Sequence, residues 1–292
     1  MTHPLKLLIT LLCVTLLAGC NGKDNDTGNS PAAGNSQPAS AAPAETPTEP
    51  FKVLVFYKAV SFIHYSIPLG LVMLQTLANE NNFVVDMTAD AASFTPENLA
   101  QYKAVIWLNT AGNVMDNDEQ RSAMEGYIRN GGGYVGIHSA ADAEYEWPFY
   151  EQLVGTYFKS HGLEQFGTII NEAPDQPSTA HLPASWSLFE EFYSFRKSPR
   201  DHVNVLLSID ENSYKPDPNT TNLPNSPTFP VGESGVMGDH PMSWCHNNLG
   251  GVAWYTALGH EGYLYLMPEF KQHVLNGILT AAQQVKADCN TR

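Results

Sequence analysis

The 292-residue chain predicts an α/β fold: a doubly wound, mostly parallel sheet flanked by helices. Three features predict it. Between residues 52 and 137, short apolar runs alternate with longer segments of helical spacing, the pattern of βαβ units. Those runs are apolar at nearly every position, as in strands covered on both faces. Finally, Gly131-Gly132-Gly133 leads into an apolar stretch and then into the polar turn His138-Ser139-Ala140-Ala141-Asp142. Ligands of open α/β sheets bind at such carboxyl ends.

Lys52-Val53-Leu54-Val55-Phe56-Tyr57 reads as a buried strand. Leu69, Val72, Met73 and Leu77 space a helix over 68–81. A second strand covers 83–86. Thr95 before Pro96-Glu97 is a helix start, with proline at the first helical position. Residues 104–108 form a third strand, 116–129 a helix, and the three glycines end that helix and open the fourth strand. Beyond residue 145 the alternation weakens. A Trp- and Tyr-rich segment over 145–158 suggests a short helix. Strands are expected at 168–170, 203–207, 242–245 and 251–256, and an amphipathic helix at 268–285. Residues 211–235, rich in Pro, Asn and Thr, read as a long surface insertion and a candidate lid.

The amino end is not fold. Lys6 precedes an apolar run from Leu7 to Leu17, too short for a permanent span but suited to a signal peptide over 1–19. Leu17-Ala18-Gly19-Cys20 resembles the lipobox of bacterial lipoproteins, which implies cleavage before Cys20 and lipidation there. Asn21 after the cysteine leans towards the outer membrane, at its periplasmic face or the surface. Residues 20–50 lack apolar periodicity and read as a disordered tether with an r.m.s. span of roughly 30 Å. The globular domain is expected over 51–286, with a tail at 287–292.

The net charge of −15 argues against nucleic-acid partners and against direct adhesion to an anionic bilayer. Of the four cysteines, Cys13 falls in the signal and Cys20 carries lipid. Cys245 lies in an apolar run and is expected to be buried. An extracytoplasmic location permits a disulfide between the two, and sequence alone leaves open whether they meet; Cys289, in a polar tail, is favoured as free and mobile.

Polar residues concentrate at the expected carboxyl ends of strands: His64 after the first, Asn109 after the third, His138 and Asp142 after the fourth, His260 after 251–256. In a parallel sheet those loops share one edge. His138 occupies the place where a Gly-x-nucleophile-x-small turn carries its Cys or Ser. No nucleotide-binding glycine motif or zinc-finger spacing is present, so no nucleotide cofactor is expected. His64, His138, His161 and His260 are candidate ligands for zinc or another divalent metal. Beside carboxylates such as Asp142 or Glu191, the same histidines could do acid/base work without metal. A Ser139 nucleophile is a third reading. Of the aromatics, Tyr145 and Trp147 are the candidates for substrate contact; Trp186, Tyr193, Phe195, Trp244, Trp254 and Tyr255 suit core packing better.

Several blocks resemble the trehalose-utilisation ThuA-like family: Phe62-Ile63-His64, Leu108-Asn109-Thr110-Ala111-Gly112, Gly131 to His138, Ala141 to Pro148, Gly155 to His161, Met237 to His246 and Tyr255 to His260. The resemblance implies a flavodoxin-like, class I glutamine amidotransferase-like fold that has lost its cysteine, with His138 in its place and no amidotransferase activity. It also implies a role in disaccharide catabolism through 3-keto sugars. Carried over by position, the catalytic candidates are His138, Asp142, Glu191 and Tyr193. Asn109, Tyr145, Trp147 and His240 are the substrate-binding candidates. The metal candidates remain His64, His138, His161 and His260. Gln176 departs from the pattern, standing where the family usually has His. The expectation is therefore a membrane-tethered enzyme that hydrolyses or eliminates glycosides or keto-sugars. The alternative is a carbohydrate-binding lipoprotein without turnover.

Overall fold

The computed structural model describes residues 50–216 and 235–291. The expected signal peptide, Cys20, nearly all of the tether and most of the 211–235 insertion lie outside the described residues.

The first half of the domain follows the sequence pattern closely. It runs β1 (Lys52–Phe56), α1 (Ile67–Glu80), β2 (Val84–Thr88), α2 (Pro96–Leu99), β3 (Ala104–Leu108), α3 (Asp118–Arg129) and β4 (Gly133–Ile137). Thr95 caps α2 as expected, its hydroxyl accepting the Asn98 N–H at 3.2 Å. Then follow α4 (Pro148–Val154), β5 (Phe158–His161), β6 (Gln165–Asn171), β7 (Ser185–Glu190), β8 (Tyr193–Phe195), β9 (Asn204–Ile209), β10 (Pro241–His246), β11 (Ala253–Thr256) and α5 (Pro268–Ala281).

Five strands pair in parallel in the order β2-β1-β3-β4-β11, the flavodoxin-like arrangement, so the predicted doubly wound class holds. Right-handed crossovers put α1 on one face, where the order runs from β1 to β2, and α3 on the other, where it runs from β3 to β4. Four further strands, β10-β9-β6-β7, extend the sheet by antiparallel pairing. That half had no parallel signature to read, because its strands are joined without crossover helices. A separate two-stranded ribbon pairs β5 with β8. The core is aromatic on the α4 side, where Tyr150 stacks on Trp107 at 4.6 Å and hydrogen-bonds Tyr134 at 2.8 Å. On the opposite face Trp254 packs on α5, at a point where Gly277 leaves it room.

The expectation of a free Cys289 is wrong: Cys245 and Cys289 form a disulfide. The tail is docked rather than mobile. The Asn204 amide donates to the Asp288 carbonyl at 2.6 Å, and Gln176 accepts the Asp288 N–H at 3.1 Å. Polar composition hid this because, beside the disulfide, the anchoring bonds run largely to the tail's backbone.

Candidate functional site: a buried histidine and glutamate centre

The site forms at the carboxyl edge of the parallel strands. His138 follows β4 directly and has φ +49°, the left-handed conformation of a sharp strand-to-helix elbow. The turn is sterically selected. A Cβ at Gly136 would lie 2.8 Å from both the Tyr134 hydroxyl and the Tyr255 ring. Gly259, at φ +126°, backs onto His138, leaving 3.5 Å between an added Cβ and the His138 Cβ. Asn109 ties neighbouring loops together, donating to Ser66 Oγ at 2.9 Å and to the Gly259 carbonyl at 3.3 Å. One of those loops carries His64 and the other His260.

The carboxylate comes from the antiparallel half. Although β7 lies four strands from β11, its end returns to the β11 loop. Glu190 accepts the backbone N–H groups of His260 at 3.0 Å and of Glu261 at 3.3 Å, as well as that of Glu191 at 3.0 Å. This staple sets Glu191 beside the histidines. Donor atoms of His64, His138, Glu191 and His260 all lie within 4.8 Å of one another, and all four residues are buried. Glu191 Oε2 is 3.4 Å from His138 Nε2 and 3.2 Å from His260 Nδ1. Neither ring nitrogen makes a hydrogen bond, although both are buried. Both lie within ion-pair distance of the carboxylate oxygen without forming a hydrogen bond to it.

Electrostatics follow from that crowding. Burial, then the neighbouring imidazoles of His138 and His260, drive His64 down to about 2. Burial also lowers His138. His260 behaves oppositely: burial disfavours its charge, but Glu191, Glu190 and Glu164 raise it to about 9. Glu191 is held well below the usual carboxylate range, because His138, His161 and His260 outweigh its desolvation. Burial pushes Glu190 up to about 8 despite its backbone donors.

Not every candidate joins this centre. His161 sits outside the four-residue group, with its Nδ1 3.0 Å from Glu191 Oε1 and 2.8 Å from the Gly162 carbonyl. Glu191 thus takes the place expected for His161, and His161 anchors the carboxylate's other oxygen. Asp142 lies beside the centre, raised by burial, and accepts the Tyr145 hydroxyl at 2.5 Å. Tyr193 packs against His138, ring centroids 4.2 Å apart and tilted by 35°. His240 is buried away from the cluster, bridging the Tyr193 carbonyl at 2.8 Å and Glu211 at 2.9 Å. Trp147 belongs to the core, stacked on Tyr150 at 5.8 Å. Asn109 is fully buried and holds loops rather than facing solvent.

The aromatics that do reach the surface are others. Phe62 is 56% exposed with its ring 4.7 Å from His64, and Tyr65 is 58% exposed with its ring 5.8 Å from His260. Three large apolar residues around one histidine in a loop, Phe62-Ile63-His64-Tyr65, were the signal in the sequence, and in the structure His64 alone of the four is buried. Glu164, also unsuspected, lies 3.3 Å from His260 Nε2.

The donor set suits a divalent cation. Three imidazoles and a carboxylate are ligands of zinc and of first-row transition metals. The inward ring nitrogens of His138 and His260, unmatched by any hydrogen bond, are what such an ion would satisfy.

The profile of the ThuA family, described as trehalose utilisation, matches residues 52–281. A comparison with curated proteins finds no match. Among solved structures, a ThuA-like protein from Bacteroides uniformis is 26% identical, with a TM-score of 0.67 over 84% of this chain and 97% of its own. A ThuA-like protein from Parabacteroides merdae is 17% identical, with a TM-score of 0.60 over 84% and 98%. A β-galactosidase from Bacillus circulans sp. alkalophilus matches 81% of this chain but only 32% of its own, at 14% identity and a TM-score of 0.51; that likeness is one of fold.

Proposed function

The chain belongs to the ThuA, trehalose-utilisation family, and from that premise we propose that it is a carbohydrate-catabolism enzyme acting on glycosides or 3-keto sugars by hydrolysis or elimination. One observation carries the reading: His64, His138, His260 and Glu191 converge, buried, with two inward nitrogens lacking a hydrogen bond. These residues would hold zinc or another divalent metal. When bound, such a cation supplies Lewis-acid polarisation of a substrate oxygen. The chain's own residues do the rest. Asp142, its carboxyl raised by burial, is suited to exchange a proton with substrate beside the centre. Tyr193 packs on His138 and keeps its ring in place. Phe62 and Tyr65 offer exposed ring faces at the mouth on which a sugar can stack.

The same reading places the protein in the cell envelope, held by lipid on Cys20. The Cys245–Cys289 disulfide supports an oxidising compartment, and the net charge of −15 supports a small-molecule substrate rather than nucleic acid.

The test is metal content by mass spectrometry together with turnover of glucosides and their 3-keto derivatives, for the wild type and His138→Ala. Near-stoichiometric metal and turnover, both lost in the variant, are expected. Turnover that survives His138→Ala sinks the assignment of the centre. Sugar binding without any product makes the protein a carbohydrate-binding lipoprotein instead.

A further inference from the structure

Each ligand candidate at the centre is gripped from behind. His138 Nδ1–H donates to the Ala257 carbonyl at 2.8 Å. His64 Nδ1 lies 3.3 Å from Ser139 Oγ, with both side chains buried. His260 Nε2 faces Glu164 Oε1 at 3.3 Å. Glu191 Oε1 meets His161, while Oε2 faces inward. The outward nitrogens of His138 and His64 are hydrogen-bonded and that of His260 lies within ion-pair distance of Glu164, whereas the inward nitrogens of His138 and His260 make no hydrogen bond.

A neutral imidazole carries one N–H, and its outer partner decides which nitrogen that is. An oxygen behind the ring draws the proton outward and leaves a lone pair facing in. At His138 the backbone performs this task. At His64 and His260 side chains perform it, and neither Ser139 nor Glu164 has been needed for anything else in the site. Ser139 follows His138 on the same elbow, so one tight turn supplies a ligand and the support of a second ligand. Glu164 precedes β6, and its side chain is 48% exposed, so it holds His260 from the mouth.

We propose that Ser139 and Glu164 are positioning residues that fix the ring orientation and tautomer of His64 and His260, and so set the affinity of the centre for a divalent cation. The proposal rests on the reading of the centre as a cation site. Outer partners of this kind are typically worth roughly 10- to 100-fold in metal affinity.

The test uses the full chain, stripped with chelator and titrated with Co2+ against a competing indicator dye, with the visible Co2+ absorption recorded alongside. Ser139→Ala and Glu164→Ala should each weaken Co2+ binding roughly 10- to 100-fold and alter the absorption band. Glu164→Gln, which keeps an acceptor oxygen, should recover part of the loss. Thermal melts of the stripped proteins should coincide, which separates positioning from a folding defect. If the wild type binds Co2+ and both alanine variants bind it within about twofold, with the same spectrum, the proposal is wrong and the centre stands. If the wild type takes up neither Co2+ nor Zn2+, the proposal falls together with the cation reading.

Discussion

Replacing Glu191 by Gln should destabilise the metal-free protein in a pH-dependent way that nothing but the buried charge arrangement predicts. Glu191 is the foremost group raising His260, which stands at about 9 against an ordinary 6.5. A raised histidine contributes stability that is complete below its unfolded value and is lost as the pH climbs through its folded one. The rise from 6.5 to about 9 corresponds to about 3 kcal/mol. The His260 side chain is 6% exposed and that of Glu191 is 9% exposed, so solvent screens little of it. At pH 6 the Gln variant leaves a buried imidazolium without its main partner, and the loss should be about 3 kcal/mol, as for other broken buried pairs. For a domain of this size that lowers Tm by roughly 6–12 °C. At pH 10 His260 is neutral and Glu191 is a buried charge without compensation, so the difference should vanish or reverse. Calorimetry at pH 6 and pH 10 measures this, with the His260 titration followed by NMR. A loss equal at both pH values, or under about 2 °C at pH 6, would refute the reasoning.

Two more predictions follow from the same physics. His64, His246 and His273 are lowered to about 2, 4 and 3 by burial, and His138 is lowered too, so the folded protein resists protons that the unfolded chain accepts. Glu190, at about 8, works the other way against the first three, leaving a net of about two protons; stability of the metal-free protein in urea should therefore fall by about 3 kcal/mol per pH unit between pH 6 and pH 5, and a flat profile there would contradict the burial of these rings. Cys289→Ser opens a loop of sequence separation 44 and should cost up to about 4 kcal/mol on the chain-entropy estimate; an unchanged Tm under non-reducing conditions would mean that the tail is held by its backbone bonds alone.

The legible parts of this molecule are those whose physics is local. Strands covered on both faces announce themselves as apolar runs, so 104–108 was read to the residue, and the α2 cap was visible in Thr95 and Pro96. In β7 the buried positions are Trp186, Leu188 and Glu190. The alternation is present, but a charged third member conceals it. Glu190 is inside because three backbone N–H groups await it, and those come from Glu191 and from residues 260 and 261. No local pattern reports a partner 70 residues away. For the same reason the exchange of His161 for Glu191 in the centre could not be read from spacing. Which of two neighbouring groups faces inward depends on how the β5–β8 ribbon meets the end of β7.

The elbow itself argues for what His138 does. In a nucleophile elbow the strained residue is raised into the substrate channel. His138 has the strained backbone but is fully buried, its Nδ1 bound to Ala257 and its Nε2 turned to Glu191. The turn presents its side chain to those of Glu191, His64, Tyr193 and His260, not to solvent. That favours a ligand over a general base, because a base must reach the proton it removes. It also predicts the outcome of restoring the residue type usual at this place. In His138→Cys the shorter thiol would sit beneath His64, Tyr193 and His260, whose rings lie within 5.3 Å of the present imidazole. It should react with an alkylating reagent far more slowly than an exposed thiol and should confer no glutaminase activity. Rapid alkylation of that cysteine in the folded protein would show that the elbow opens to the surface. His138 would then be free to act on substrate directly.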